Sequence, residues 1–307
     1  MPTGANGIGL SLEELVPYRR LARQVQLTPK ASAQAHMAGH HLARAKGRGM
    51  DFDEVRQYQV GDDIRSIDWR VTARTGKPHT KLFREEREKP VQLIVDLGPT
   101  MQFGSQLLLK AVQAGHVAAL LAWHVAERGD RVGALISNGE QHKELKPKGR
   151  QKGVLALAHA LVELQSQALD LLTPRPEHLN DLLRRSIRLA APGSQLWIVS
   201  DLQGWNDESR WLMARLQKHA DVSVFLITDP LELSLPSSRL PMTLPVQGID
   251  SKGLLPIGSG RFRNHYQQNR LQQLDAVRQV LKGMNIRFCA VSAQQSLEFQ
   301  IEKVQPC

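Results

Sequence analysis

The sequence holds only two cysteines among 307 residues, Cys289 and Cys307. That is too few for a disulfide framework, and they lack the paired spacing of a structural zinc site. Arg287-Phe-Cys-Ala-Val291 reads instead as a buried strand around a reduced thiol, which fits a cytoplasmic chain. Long hydrophobic runs are missing too. The longest apolar-dominated stretch, His116-Val-Ala-Ala-Leu-Leu-Ala-Trp-His124, falls far short of the roughly 20 residues that cross a bilayer. Met1 to Leu10 is glycine-rich and uncharged, without the basic, apolar and small-residue order of a signal peptide, so neither export nor a membrane span is expected. Aromatic residues make up only 5 %, which weakens a base-stacking role. There is no internal repeat and no low-complexity tract.

What is present is a basic excess, 40 Lys and Arg against 30 Asp and Glu. Residues 1–90 carry 16 basic and 11 acidic groups, residues 91–230 carry 15 and 14, and residues 231–307 carry 9 and 5. The surplus therefore sits at the two ends of the chain around a nearly neutral middle. Such a charge can meet phosphate, acidic lipid or an acidic protein face.

The hydrophobic pattern predicts an α/β fold. Val91-Gln-Leu-Ile-Val95, Gln195-Leu-Trp-Ile-Val-Ser200 and Val222-Ser-Val-Phe-Leu-Ile-Thr228 have the profile of strands buried on both faces. Each is followed by an aspartate, which puts Asp96, Asp201 and Asp229 at carboxyl ends of strands, the edge where open α/β sheets bind ligands. Arg131–Ile136 and Ile286–Val291 complete five or six strands. Helices are expected over Ser105–Glu127, Gly153–Gln165, His178–Ala190, Asp207–His219 and about 264–282, so the sheet is expected to be mostly parallel with helices on both faces. Two domains follow: residues 1–90, with a helix over Leu12–His36 and an irregular β-rich region, and residues 91–307, the α/β domain with a Pro- and Gly-rich lid at about 230–262.

The densest cluster of chemically interesting side chains runs from Gly47 to Trp69, with Thr72-Ala-Arg-Thr75 and Phe83-Arg-Glu-Glu-Arg87 following. Acids alternate with Arg48, Arg56, Arg65, Arg70 and Arg74 around Phe52, Tyr58 and Trp69, which suggests a self-satisfied ion-pair network under aromatic cover. The segment is either a structural layer or a partner-docking surface built on Arg56, Tyr58, Gly61, Asp62, Asp63, Arg65, Asp68, Trp69 and Arg74. Asp62 and Asp63 could form a catalytic carboxylate pair, but no nucleophile or base stands beside them. His36, His40 and His41 have no cysteine or acid among them to complete a metal site. Gly258-Ser-Gly-Arg-Phe-Arg263 lacks the lysine of a phosphate loop, and Ser105 and Ser137 lack a nucleophile elbow.

The stretch from Gly47 to Glu86, together with Val95-Asp-Leu-Gly-Pro-Thr-Met-Gln-Phe-Gly104, Val199-Ser-Asp-Leu202 and Ile227-Thr-Asp-Pro-Leu-Glu-Leu-Ser-Leu-Pro236, resembles the domain-of-unknown-function 58 family over nearly the whole chain. The resemblance implies a von Willebrand factor type A-like (Rossmann-like) domain in a bacterial cytoplasmic protein. It also implies a MoxR-type AAA+ ATPase as partner, encoded alongside and linked by this protein to unknown clients. The family has no established enzymatic activity.

In type A domains an Asp-x-Ser-x-Ser loop, a threonine from a second loop and a later aspartate hold Mg2+ through hard oxygen ligands, with one position left for a partner's carboxylate. The matching loop here is Asp96-Leu-Gly-Pro-Thr100: the first carboxylate is present, Thr100 can replace the second hydroxyl, and Gly98 has no side chain to offer. Asp201 fits the later aspartate. Arg175-Pro-Glu-His178 stands where a threonine would be expected, and Thr173 comes too early. Either waters complete a weakened magnesium site, or the site is vestigial and Asp96 and Asp201 accept backbone hydrogens or pair with a nearby arginine. The expected function is a non-enzymatic interaction module or adaptor, cytoplasmic or held at the inner membrane through partners, with no cofactor required and this degenerate metal-ion-dependent adhesion edge as a contact surface. Nucleic-acid binding through the basic surface is the alternative, and a metal-dependent hydrolase using Asp96, Asp201 and Asp229 is a third.

Overall fold

A computed structural model of the chain describes residues 5–25, 50–85, 90–171, 173–237, 243–248 and 252–304. His36, His40, His41, the 26–36 end of the expected first helix, Arg48 and Arg87 lie outside the described residues. The chain divides into two compact units, one of Met1–Leu27 with Lys89–Cys307 and one of Thr28–Glu88. The expected 1–90 domain is thus split, because its first helical residues pack with the sheet unit.

That segment forms two short helices, α1 (Leu12–Leu15) and α2 (Tyr18–Ala22), separated at Pro17. Ser11 and Glu14 close a capping box on α1, satisfying orphan backbone donors at both ends of the exchange.

In the smaller unit β1 (Met50–Gln57) pairs antiparallel with β2 (His79–Glu85), with a register shift between Phe52 and Glu54. Between them lie a 3-10 turn over Ile64–Ser66 and α3 (Trp69–Thr75). Gly76 ends α3 at φ 70°, a left-handed conformation that suits glycine, and its amide bonds Thr72.

The larger unit continues with β3 (Val91–Asp96), α4 (Lys110–Glu127), β4 (Arg131–Ser137), β5 (His142–Gly149), α5 (Arg150–Ala168), α6 (His178–Leu189), β6 (Gln195–Ser200), α7 (Asp207–His219) and β7 (Asp221–Thr228). It closes with α8 (Pro230–Leu233), the hairpin β8 (Leu244–Gln247) and β9 (Lys252–Leu255), α9 (Gly260–Gly283) and β10 (Arg287–Ser292). The six-stranded sheet has the order β10-β7-β6-β3-β4-β5, parallel throughout except for the edge strand β5. Strand order reverses between β3 and β6, so the switch point, where doubly wound sheets open a crevice, falls at the ends of those two strands.

Side-chain alternation divides the core. Leu93 and Val95 face a layer containing α4 and α5, while Ile94, Leu196 and Ile198 face α6, α7 and the end of α9. The region expected to be a lid contains structure of its own, since α8 and the β8–β9 hairpin interrupt it. β5 was not expected; its exposed, charged residues and Pro147 fit an antiparallel edge strand and give no buried-strand signal.

Of the 18 residues of α4, all but the last two are buried. One reason is the N-terminal segment laid across it. His116 Nε2 lies 3.2 Å from Glu14 Oε2, the Trp123 indole donates to the Leu15 carbonyl at 3.3 Å, and Arg19 and Arg23 both pair with Glu127. Gln165 of α5 completes the attachment, donating to the Ile8 carbonyl and accepting from the Leu10 amide.

Leu10 enters at Gly115, where a Cβ would fall 2.5 Å from the Leu10 Cδ1. Gly115→Val is therefore expected to destabilise the protein by about 1–3 kcal/mol through overpacking, and Leu10→Ala in the same chain should return part of that loss. Denaturant midpoints of the two single variants and the double variant check this; simple additivity would show that the segment does not dock at Gly115.

Candidate functional site

Asp96 is the last residue of β3, and Asp201 and Asp229 directly follow β6 and β7. All three are buried at the carboxyl edge of the sheet, and an ionised carboxylate in such a place must be met by donors.

For Asp96 the donors are complete. Its Oδ1 accepts from the Gly98 amide at 2.8 Å and from His178 Nε2 at 2.8 Å, and its Oδ2 accepts from the Ser200 hydroxyl at 2.7 Å. Burial pushes the Asp96 carboxyl up, but the charge and hydrogen bond of His178, with the Gly98 and Ser200 donors, hold it below the usual carboxylate range. Burial likewise opposes the charge on His178, and Asp96 overcomes it, so the imidazole is held above its ordinary value. The ring sits in the first turn of α6 against two glycines: a Cβ on Gly98 would come 2.7 Å from its Cδ2 and Nε2, and one on Gly139 would come 3.7 Å from its Nδ1.

Asp201 accepts from the Gln203 amide at 3.0 Å and from Lys110 Nζ at 2.7 Å. Lys110, the first residue of α4, is 0 % exposed and gives a second hydrogen bond to Glu232 Oε1 at 2.5 Å. Burial would strip its proton, yet the two carboxylates hold it above the usual lysine value. Glu232 is itself pushed up, first by burial and further by the nearby charge of Asp201, with Lys110 pulling the other way. One ammonium is shared by two carboxylates and cannot fully neutralise both. Asp229 accepts from the Leu231 amide, capping α8, and from the Ser105 amide and hydroxyl at 2.8 and 2.5 Å.

Thr100 lies in the 3-10 turn Pro99–Met101, half-buried, with no hydrogen bond to Asp96 or Asp201. Of the two expected kinds of partner, a backbone amide is present at both Asp96 and Asp201, from Gly98 and Gln203, while a histidine and a lysine stand in place of an arginine. These residues do not fit an oxygen shell for magnesium: both Asp96 oxygens and both Asp201 oxygens already accept from protein donors, and among the described residues no three His, Cys, Asp or Glu side chains converge as a metal site. Ser200 donates to Asp96 rather than to a base, and among the described residues no hydroxyl or thiol hydrogen-bonds the other ring nitrogen of His178, so the arrangement offers no activated nucleophile. Lys110 had a signal in the sequence, a lone cation inside the apolar run Leu107–Ala114, which a folded chain must pair. Glu232 and Ser200 had none.

The motif residues of the smaller unit are arranged differently from the expected network. Asp62 accepts from the Gln59 amide and from Arg56 at 2.7 Å, Asp63 from the Arg65 amide, and Asp68 from the amides of Arg70 and Val71 while lying 3.5 Å from Lys81. Backbone donors lead in holding the Asp62 and Asp68 carboxyls below their ordinary values. The acids thus cap the chain, and among the described residues Arg65, Arg70 and Arg74 have no ion-pair partner. Nor is there full aromatic cover, since Trp69 is 68 % exposed. Tyr58 is half-buried, and Gly61 turns the chain at φ 108°. Asp62 and Asp63 share no hydrogen-bond partner; each has its own backbone donor, Gln59 and Arg65.

The class is therefore an α/β protein with an internally hydrogen-bonded cluster of acids, one lysine and one histidine at the switch point of a mostly parallel sheet. The chain belongs to the family described as protein of unknown function DUF58, whose model matches residues 54–275. It is 31 % identical over 224 residues to uncharacterized protein Rv1480 of Mycobacterium tuberculosis and, equally, to uncharacterized protein Mb1516 of Mycobacterium bovis, the match covering 70 % of this chain. The chain spans 66 % of the length of these curated relatives.

Among solved structures it is similar to the conserved hypothetical protein BatB from Bacteroides thetaiotaomicron, with TM-score 0.36 and 12 % identity over 64 % of this chain and 98 % of that one. An aerotolerance-related membrane protein from Bacteroides fragilis gives 0.40 and 10 % over 70 % and 98 %, and a von Willebrand factor type A protein from Catenulispora acidiphila gives 0.32 and 13 % over 49 % and 35 %.

Removing Lys110 would leave Asp201 and Glu232 facing each other without a cation. Lys110→Met is expected to cost about 3–5 kcal/mol, and adding Asp201→Asn should recover part of it. A double-mutant cycle on urea midpoints checks the coupling; a coupling near zero would mean that the ammonium does not hold this edge.

Proposed function

We propose that this protein is a non-catalytic interaction module that docks on a MoxR-type AAA+ ATPase and connects it to client proteins. The observation that carries this reading is the exposed Trp69 beside the exposed Arg65, Arg70 and Arg74, none of which has an ion-pair partner among the described residues. Tryptophan and arginine are the residue types that dominate binding energy at protein interfaces. The turns presenting them are held by the Asp62, Asp63 and Asp68 caps and the Gly76 stop, so little ordering cost remains on docking. The family resemblance supports the ATPase as the partner, and an acidic face on it is the complement these arginines need. Such a partner places the protein in the cytoplasm or at the inner face of the membrane. Among the described residues, no helix is long and apolar enough to cross a membrane.

Affinity of the full chain for the neighbouring ATPase, measured by calorimetry or surface plasmon resonance, tests this. Arg65→Glu with Arg74→Glu, and separately Trp69→Ala, should each weaken binding by roughly 10-fold or more. Unchanged affinity in both would remove this surface from the complex. Polynucleotide binding that is lost with the same arginines and falls steeply with salt would favour the nucleic-acid reading instead. Asp96→Ala is not a surface probe here, because Asp96 is buried under His178 and Ser200.

A further inference from the structure

The three aspartates at the strand ends, the loop after β3 and the switch-point position would suit a divalent cation, yet both oxygens of each aspartate already accept hydrogen bonds from protein donors. We infer that this edge functions without a divalent ion, the Lys110 ammonium and the His178 ring having replaced it as fixed, chain-borne partners of Asp201 and Asp96. The inference concerns this edge alone and does not depend on the docking surface of the smaller unit.

Two observations carry it independently. The first is Lys110: it is buried, belongs to α4, and bridges the end of β6 to α8 at 2.7 and 2.5 Å, as a cation shared between carboxylates would. A metal ion on Asp201 would stand against this ammonium, and two cations would then compete for the same oxygens.

The second is the pairing of Gly98 with His178. A side chain at residue 98 is what an Asp-x-Ser-x-Ser loop would use as a ligand, and a Cβ there would lie 2.7 Å from the imidazole and 3.1 Å from Asp96 Oδ1. Movement of the ring away from such a side chain would break its hydrogen bond from Nε2 to Asp96. The missing ligand and the new histidine are thus one change: with His178 in place a side chain at residue 98 would displace the ring, and with glycine in the loop the histidine fills the space and supplies the hydrogen bond.

The test uses the full chain freed of metal with a chelator and titrated with MgCl2 and MnCl2 by calorimetry, with thermal unfolding followed in parallel. Wild-type protein should give no saturable heat and no rise in Tm beyond that of a KCl control at equal ionic strength. A saturable one-to-one Mn2+ site that disappears in Asp96→Asn would overturn the inference.

In Lys110→Met, the vacated carboxylates should admit Mn2+ and raise Tm on its addition; a folded variant that shows no rise would sink the assignment of Lys110 as the ion's replacement. Gly98→Ser should lower Tm by about 4 °C or more, and His178→Ala in the same chain should restore part of the loss. Should Gly98→Ser leave Tm unchanged, the pairing of residues 98 and 178 is wrong, and that result can be read even if Lys110→Met does not fold.

Discussion

A buried ammonium has to be paired, and Lys110 satisfies that requirement by tying together three elements that are far apart in sequence. It starts α4, reaches Asp201 at the end of β6, and reaches Glu232 in α8. Desolvating the three groups is costly, so the cluster adds little net stability over an apolar replacement of the same shape. What it does supply is selection, because a shift of α4 along the sheet or a displaced α8 would strand a charge. The neighbouring Asp229 acts in the same sense, holding the Ser105 amide and hydroxyl and so fixing the approach to α4.

That approach explains why α4 begins at Lys110 although the apolar pattern suggests a start near Ser105. The backbone donors of the intervening residues are used elsewhere: Ser105 bonds Asp229, Leu108 bonds Ala293, and Leu109 bonds Gly7. A helix from Ser105 would need the Leu109 amide on the Ser105 carbonyl, but Leu109 donates to Gly7 and Lys110 to Phe103, so propensity yields to tertiary contact. In the same way Gln165 and Glu14 fasten the N-terminal segment to α4 and α5, so residues that look like part of an N-terminal arm belong to the core of the sheet unit.

The strands of the parallel sheet were legible because burial on both faces leaves continuous apolar runs, and the aspartates after them marked the carboxyl edge of the sheet. The α/β class, the order of elements and the helix over Asp207–His219 followed from the same signals. β5 and the β8–β9 hairpin were not legible, since exposed two-sided strands carry no such run. The site was half legible. Asp96 and Asp201 could be placed, whereas their partners could not, because nothing local links His178 to residue 96 or Glu232 to residue 110; those pairings exist only once β3 and β6 lie side by side at the switch point.

The most instructive departure concerns the charged motif of the smaller unit. Alternating acids and bases suggest mutual pairing, but the connection between β1 and β2 starts a 3-10 turn and a helix, whose first backbone amides need acceptors. Carboxylates at Asp62, Asp63 and Asp68 serve those donors first, since a cap is local and loses little entropy, while a surface ion pair is weak. The consequence is that the acids are consumed internally while Arg65, Arg70 and Arg74 remain exposed in the same segment as the exposed Trp69. A sequence that appears balanced in charge thereby presents a surface that is not, and it is the capping of the turns that creates the imbalance.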